Sequence, residues 1–168
     1  HTFPNHLSII TGSTSTEHGI VSNNFYAPDL NKHFSISNPL SLTDHSFYKA
    51  QPIWSLAEKE GVKTGIFFWP GSDLILNSHR SSYYKKFNHE TKNKEKIDQI
   101  INWFKLPKQE RPQFVATYFN EIDLVGEMFG PESMETKRAI KQLDLEIERL
   151  VTSLKKLNLN LYVFIVSD

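Results

Sequence analysis

The stretch Thr64-Gly65-Ile66-Phe67-Phe68-Trp69-Pro70-Gly71 decides the fold. From Thr64 to Trp69 it is a dense apolar and aromatic run, a pattern that is typical of a buried β-strand. Pro70 and Gly71 then end the strand and begin a loop. Because α/β proteins bind ligands at the carboxyl ends of their strands, we expect this loop to border a functional site.

The sequence after this strand alternates between helical and strand patterns. The predicted elements are a helix over 95–104, a strand over 113–119, a loop over 120–131, a helix over 133–156 capped by Ser133, and a buried strand over 160–166. Helices that alternate with strands favour an α/β fold with a mostly parallel sheet sandwiched by helices.

The sequence before this strand predicts two helices separated by loops. A short helix is expected up to residue 11, with Pro4 in its first turn and Gly12 directly after its end. Residues 13–50 are rich in Ser, Asn, Pro and His, which predicts extended loops. A second helix is predicted over 52–59.

Composition limits the classes of protein that the chain can represent. Its 168 residues, 39% of them hydrophobic, are enough for one core, so one domain or part of one is expected. The 19 basic and 19 acidic residues cancel, which leaves no overall field to attract a nucleic-acid duplex or an anionic membrane. The absence of cysteine excludes disulfides and thiolate chemistry. No apolar run approaches the roughly 20 residues of a membrane-spanning helix.

Both ends of the chain read like mid-domain sequence. The first residues do not resemble a signal peptide, and the predicted last strand is followed only by Ser167 and Asp168. We therefore expect further residues before His1 and after Asp168.

Three polar residues occupy positions where chemistry is expected. Asp123 and Asp168 each follow a predicted strand, so both carboxylates would project from one edge of the sheet and could bind a metal ion. The alternative is that each is an ordinary loop or cap residue. Thr2 lies at a helix amino end, where it is either a cap or a hydroxyl held for nucleophilic attack. For His6 and His18 we favour structural roles.

A series of motifs connects the chain with a known family. They are Thr2-Phe3-Pro4-Asn5-His6, Ile10-Thr11-Gly12, Glu17-His18-Gly19-Ile20-Val21, Asn23-Asn24-Phe25-Tyr26, Pro52-Ile53-Trp54, Phe67-Phe68-Trp69-Pro70-Gly71-Ser72-Asp73, Gly130-Pro131-Glu132-Ser133 and Ser167-Asp168. In these motifs and their order, the chain resembles the ectonucleotide pyrophosphatase/phosphodiesterases of the alkaline phosphatase superfamily. The resemblance implies an alkaline-phosphatase-like fold that is incomplete at both ends, with residues 1–168 as part of a single phosphodiesterase catalytic domain.

The resemblance also implies a reaction site. Thr2 matches the threonine that attacks phosphorus and touches one of two zinc ions in the family, and such metals can ionise its hydroxyl. Asn23 matches the asparagine that holds a non-bridging phosphate oxygen, although it could instead be a turn residue. Asp123 and Asp168 match zinc ligands. Glu127 stands where the family has a histidine ligand, and further family ligands have no counterpart in this sequence.

A nucleotide pocket is implied by the same resemblance. Phe3 and Phe87 match the aromatic residues that sandwich a base, and Trp69, Asp73 and Tyr84 match residues that line that pocket. Base stacking of this kind is worth roughly 1 to 3 kcal/mol per base. The alternative for each aromatic residue is core packing.

The leading hypothesis is a zinc-dependent phosphodiesterase/nucleotide pyrophosphatase that forms a phospho-threonine intermediate at Thr2. Two Zn²⁺ ions are expected in the complete domain, and a nucleotide or other small phosphodiester is the expected substrate. The alternatives are a lipid-headgroup phosphodiesterase and a nucleotide-binding domain whose catalysis is impaired by Glu127. By the resemblance, the protein is expected to be extracellular, periplasmic or membrane-tethered and facing outward, whereas its oligomeric state is not predicted.

Overall fold

The computed structural model describes residues 1–74 and 80–168, which form two compact units. The first unit comprises His1–Phe87, Pro112–Ala116 and Phe164–Asp168. The second unit comprises Asn88–Arg111 and Thr117–Val163. None of the helices in the described ranges is both long enough and apolar enough to cross a bilayer.

Short helices and a hairpin make up most of the first unit. Its helices are α1 (Thr2–Thr11), α2 (Ser15–His18), α3 (Pro39–Thr43) and α4 (Ile53–Lys59), together with a 3₁₀ turn over His45–Phe47. Strands β1 (Asn24–Ala27) and β2 (Lys32–Ser35) form an antiparallel hairpin. The prediction of loops throughout 13–50 is therefore wrong. These helices and strands have only four or five residues each, which is too short for a periodic pattern of apolar residues to be recognised in the sequence.

The predicted strand at Thr64 lies in the middle of a three-stranded sheet. The strands are β3 (Thr64–Phe67), β4 (Tyr83–Lys85) and β5 (Phe114–Thr117), in the order β4-β3-β5. All residues of β3 are buried, and β3 and β4 run parallel with Phe67 opposite Lys85. The α/β prediction is therefore confirmed at its central strand. Strand β4 was not predicted.

A continuous core holds the first unit together. It packs α1, the β1–β2 hairpin, α4 and β3, and its buried residues are Leu7, Ile10, Ile20, Ala27, Phe34, Phe47, Tyr48, Trp54, Ile66, Leu74 and Ala116. Helix α1 begins and ends as predicted, since Pro4 lies in its first turn and Gly12 ends it in a left-handed conformation with φ of 66°. This packing fixes the amino end of α1 relative to the strand ends of the sheet.

Three helices make up most of the second unit. They are α5 (Asn93–Phe104), α6 (Glu121–Phe129) and α7 (Met134–Lys155). Both α5 and α7 were predicted, and the Ser133 hydroxyl caps α7 by accepting the N–H of Thr136 at 3.1 Å. Helix α6 contradicts the loop predicted over 120–131. Its apolar residues Ile122, Val125 and Phe129 do recur at helical spacing, but the helix has only nine residues and contains Gly126, which lowers helix propensity.

The strand predicted over 160–166 is also wrong. These residues form no regular secondary structure, and large apolar side chains such as Phe164 and Ile165 are 84% and 72% exposed. An apolar run becomes a strand only where another strand supplies ladder hydrogen bonds. Asp168 consequently does not follow a strand, although the prediction placed it there.

Candidate active site

The amino end of α1 brings Thr2 and Asn23 into the same small region. Thr2 is half-buried and is the first residue of the helix, and the N-cap is His1, which makes no side-chain cap hydrogen bond. The backbone N–H of Phe3 instead donates to Oδ1 of Asn23 at 3.0 Å. Asn23 therefore caps the helix from a distant position, so the reading of Thr2 itself as the cap is wrong.

The Thr2 hydroxyl lies where a helix is electropositive. The first N–H groups of a helix lack partners within it and carry partial positive charge, which favours an anion or a developing oxyanion nearby. Among the described residues no hydrogen bond engages the Thr2 hydroxyl, whereas its carbonyl oxygen lies 2.8 Å from Nδ1 of His6. The hydroxyl is thus available for chemistry.

Asp168 is held against the same turn of α1. Its backbone carbonyl accepts Nδ2 of Asn5 at 3.0 Å, and its carboxylate lies 3.3 Å from Nδ1 of His6. Because His6 also contacts the carbonyl of Thr2, Thr2 and Asp168 share one neighbour. The structure therefore brings together Thr2, Asn23 and Asp168, which the sequence analysis had grouped as reaction-site residues.

Two buried histidines support α1. Nε2 of His18 lies 3.1 Å from the carbonyl of Pro4, and its Nδ1 accepts the N–H of Ile20 at 3.2 Å. These partners require the neutral ring with its proton on Nε2, and burial lowers the pKa of His18, which favours this neutral form. Burial likewise lowers the pKa of His6. Both histidines thus have the structural contacts that the sequence analysis favoured.

The residues predicted to line the nucleotide pocket gather near the ends of β3 and β4. Trp69 donates its indole N–H to the carbonyl of His6 at 3.2 Å and packs edge-on against the His6 ring. The Tyr84 hydroxyl donates to Oδ1 of Asp73 at 2.8 Å. Burial, reinforced by Asp73, raises the pKa of Tyr84, so this phenol remains protonated and acts as a donor.

The two predicted base-stacking residues have different surroundings. Phe87 is 38% exposed, and its ring centroid lies 5.2 Å from that of Phe68. Phe3 is half-buried and packs on Phe34 with centroids 6.0 Å apart, at the edge of the core. Phe87 therefore offers more free surface for a base than Phe3 does.

Asp123 and Glu127 both lie on α6 in the second unit. They are exposed and four residues apart, so their side chains are neighbours on one face of the helix. Helix α6 therefore holds these two carboxylates next to each other, although the sequence analysis assigned both residues to a loop.

The carboxylates fit part of a zinc site. Zinc accepts carboxylate oxygen, and its structural and catalytic sites use at least three protein ligands. Within residues 1–74 and 80–168, no group of three or more His, Cys, Asp or Glu side chains is placed to hold a metal ion. Neither Asp168 in the first unit nor the Asp123–Glu127 pair in the second therefore has enough groups, among the described residues, to hold a zinc ion by itself.

One residue near the pocket escaped the sequence analysis. The guanidinium carbon of Arg80 lies 4.1 Å from the centroid of the Tyr84 ring, the position of a cation–π contact. The one sequence feature that could have pointed to Arg80 is the basic segment 80–87, which contains Arg80, Lys85 and Lys86 and no acidic residue.

Comparison with protein families settles the classification. The family described as type I phosphodiesterase / nucleotide pyrophosphatase matches residues 1–168. The chain belongs to this family. The proposed roles of the individual site residues remain predictions.

The names of similar proteins support the assignment to the type I phosphodiesterase family. An uncharacterized pyrophosphatase/phosphodiesterase from Schizosaccharomyces pombe is 40% identical over 166 residues, which is 98% of this chain and 34% of the relative. Human ectonucleotide pyrophosphatase/phosphodiesterase family member 1 is 40% identical over 169 residues, 99% of this chain and 18% of the relative. The chain thus spans about a third or less of the length of these relatives.

The fold expected for the family is present. The solved structure of murine ectonucleotide pyrophosphatase/phosphodiesterase 5, described as an inactive threonine-to-alanine variant in complex with AMP, superposes with a TM-score of 0.85 at 30% identity. The match covers 94% of this chain and 42% of that chain. It confirms the alkaline-phosphatase-like α/β fold.

Proposed function

We propose that the protein containing this chain is a nucleotide pyrophosphatase/phosphodiesterase that uses Thr2 as its nucleophile. The observation that carries the proposal is the arrangement at the start of α1. There Asn23 takes over the capping of the helix, and the Thr2 hydroxyl makes no hydrogen bond with another described residue. This arrangement suits phosphoryl transfer through a threonine, in which the hydroxyl attacks phosphorus and the amide donates a hydrogen bond to a phosphate oxygen.

The proposed reaction has two displacements. In the first, Oγ1 of Thr2 gives its proton to solvent and bonds to phosphorus, while the bond between phosphorus and the leaving oxygen breaks, and the alcohol or nucleotide departs after its oxygen takes up a proton from solvent. In the second, the oxygen of a water molecule bonds to phosphorus, the bond between phosphorus and Oγ1 breaks, a phosphate monoester leaves, and Thr2 regains its proton. The positive end of α1 and the Nδ2 donor of Asn23 stabilise negative charge on the phosphoryl oxygens.

The comparisons support this proposal without testing it. The relatives are named as pyrophosphatases and phosphodiesterases, and the murine neighbour is described as inactive after one threonine-to-alanine change and as binding AMP. A threonine nucleophile and a nucleotide substrate agree with both descriptions. The ectonucleotide names also support the proposal that the protein acts outside the cytoplasm.

Zinc dependence is part of the proposal. Asp123, Glu127 and Asp168 would each contribute to the coordination of two Zn²⁺ ions in the complete protein, and the ions would supply positive charge next to the reacting phosphate. Because these residues form only partial ligand sets, the remaining ligands would have to come from elsewhere in the protein.

A second candidate function is nucleotide binding without turnover. Glu127 favours it, because an extra carboxylate one helical turn from Asp123 would add negative charge beside a metal bound there, weaken the Lewis acidity of that metal and repel an anionic substrate. The free Thr2 hydroxyl and the placement of Asn23 favour the catalytic candidate instead.

Hydrolysis of a chromogenic nucleotide diester by the full-length protein in the presence of zinc tests the proposal. We expect Thr2→Ala to abolish the activity, because no other hydroxyl replaces Oγ1. The matched control is Thr16→Ala, which removes the same group from an exposed position on α2. Turnover that survives in the Thr2→Ala protein would exclude Thr2 as the nucleophile. Nucleotide binding without turnover in the wild-type protein would favour the second candidate.

A further inference from the structure

The contact between Arg80 and Tyr84 adds a cation to the nucleotide pocket. The guanidinium carbon of Arg80 lies 4.1 Å from the centroid of the Tyr84 ring, and the Tyr84 hydroxyl donates to Asp73. Tyr84 and Asp73 both belong to the predicted pocket. Arg80 is therefore joined to the pocket by direct contact with one of its members.

The Arg80 guanidinium remains able to bind an anion. Arg80 is exposed, and it forms no salt bridge with a carboxylate among the described residues. A guanidinium has five N–H donors, and stacking on an aromatic ring uses its face and leaves donors at its edge. Contact with the ring and hydroxyl of Tyr84 thus orients the guanidinium and leaves some of its N–H donors available to a ligand.

The sequence supplies further basic residues near this position. The whole chain has a formal net charge of 0, yet the segment from Arg80 to Phe87 contains Arg80, Lys85 and Lys86 and no acidic residue. Asp73, the carboxylate next to Tyr84, already accepts the tyrosine hydroxyl. Basic residues are therefore concentrated in the sequence just before Phe87, the exposed candidate for base stacking.

We propose that Arg80 is a specificity-determining residue whose guanidinium binds a substrate phosphate other than the one that Thr2 attacks. This inference rests on the proposed function. The attacked phosphate is assigned to Thr2 and Asn23 at the start of α1, whereas the contact of Arg80 is with Tyr84 on β4. A second phosphate group is present in nucleoside polyphosphates, so the role of Arg80 would be seen with these ligands.

The test compares two substrates in the full-length protein. ATP carries additional phosphates, whereas the p-nitrophenyl ester of thymidine 5′-monophosphate carries only the attacked one. We expect Arg80→Gln to lower kcat/KM for ATP about tenfold more than for the ester, mainly through KM, as the loss of one charge-assisted hydrogen bond predicts. Lys59→Gln, at the exposed end of α4, removes a charge outside the pocket and is expected to leave both substrates unaffected.

Binding measured by calorimetry separates this inference from the proposed function. In a Thr2→Ala background, which removes turnover, Arg80→Gln is expected to weaken the binding of ATP about tenfold more than that of AMP. If Arg80→Gln lowered the affinities for ATP and AMP equally, or kcat/KM for the two substrates equally, Arg80 would only support the pocket. If these affinities and kcat/KM values did not change, Arg80 would have no role. Either result overturns the inference. A wild-type protein that cleaves neither substrate would contradict the proposed function, while the ratio of ATP to AMP binding would still decide the role of Arg80.

Discussion

The backbone N–H of Phe3 donates a hydrogen bond of 3.0 Å to the side chain of Asn23, although the two residues lie 20 positions apart in the chain. This bond satisfies one of the donors that a helix leaves without a partner at its amino end. It also holds the remaining amide group of Asn23 beside the helix turn that carries Thr2. One side chain thereby serves both the helix and the proposed site.

Substituting Asn23 should separate these two roles. Asn23→Asp keeps an oxygen acceptor for Phe3, and a negative charge at a helix amino end is favourable, so the free energy of unfolding should be preserved. The same change replaces the Nδ2 donor with an anionic oxygen. We therefore expect kcat/KM for a nucleotide diester to fall on the order of 10²-fold. Hydrolysis assays together with urea unfolding measure the two effects.

The neighbouring Asn24 provides the matched control. Its Oδ1 accepts the hydroxyl of Ser35 within the β1–β2 hairpin, and the residue is exposed. Asn24→Asp should therefore leave kcat/KM close to that of the wild type. If Asn23→Asp retained full activity as well, Asn23 would be only a helix cap.

Exchanging Glu127 tests whether the α6 carboxylates bind zinc. Glu127→His would replace a carboxylate with a neutral imidazole one helical turn from Asp123, the residue type that the resemblance to the family implies at this position. We expect zinc affinity to change by about tenfold, equivalent to about 1.4 kcal/mol. The measurement is calorimetric zinc titration of the full-length protein, which also gives the number of ions bound.

A histidine elsewhere should not have this effect. Glu135→His makes the same exchange at an exposed position in the first turn of α7. If Glu127→His and Glu135→His bound zinc like the wild type, Glu127 would not be a ligand. Unchanged affinity in Asp123→Asn would exclude Asp123 in the same way.

Local sequence signals predicted the elements whose ends and buried faces are marked in the sequence. Ser133 and the apolar spacing that follows it mark α7, Pro4 and Gly12 mark α1, and the run from Thr64 marks β3. Each of these signals acts within a few residues of the element. They could therefore be read without knowing any tertiary contact.

Elements without such signals were missed or wrongly predicted. Helix α6 has only nine residues and contains Gly126, so its helical spacing of apolar residues extends over too short a stretch to outweigh the low propensity of glycine. The run over 160–166 is apolar, but pairing with another strand, rather than composition, makes a strand. Tertiary context decides both cases.

The site depends on contacts that no local pattern contains. Asn23 reaches Phe3 across 20 positions, and Asn5 reaches Asp168 across 163. The residues alone identified Thr2, Asp123 and Asp168 as candidates but left ordinary structural roles open for each. The resemblance to a family supplied the grouping, and the structure then showed which members lie together.

Glu58 should be important for the stability of the first unit. Its carboxylate accepts the backbone N–H and hydroxyl of Thr64 and the backbone N–H and hydroxyl of Ser82, which ties α4 to β3 and to the start of β4. Burial alone would raise the pKa of Glu58, but these hydrogen bonds outweigh burial and lower it. Because Thr64 is fully buried, Glu58→Ala would leave its N–H without a partner, at a cost of about 1 to 3 kcal/mol.

Urea unfolding of the full-length protein checks this cost. Glu60→Ala is the control, because Glu60 is exposed at the end of the same helix. It should leave the transition within about 0.5 kcal/mol of the wild type. Equal stabilities for the Glu58→Ala and Glu60→Ala proteins would show that water replaces the four hydrogen bonds of Glu58 without loss.

The buried Lys96 should make the stability of the second unit depend on pH. Its side chain is 1% exposed, and its ammonium group donates to the carbonyl of Tyr118 at 3.1 Å. Burial lowers the pKa of Lys96 from 10.5 to about 8, although the negative charge of Glu121 opposes this shift. Between about pH 8 and 10.5, the unfolded chain therefore binds more protons at this residue than the folded chain does. Lys96 consequently makes the free energy of unfolding rise with pH across this window.

Replacing Lys96 with methionine should remove that rise. Methionine fills a similar volume without a titrating group, so the free energy of unfolding of the Lys96→Met protein should increase less between pH 8 and 10 than that of the wild type. The difference has an upper limit of about 1.4 kcal/mol per pH unit for one proton. Urea unfolding at a series of pH values measures it, with Lys108→Met at an exposed position as the control. Parallel pH profiles for the wild-type and Lys96→Met proteins would mean that the folded lysine keeps its ordinary pKa, because water or Glu121 compensates for its burial.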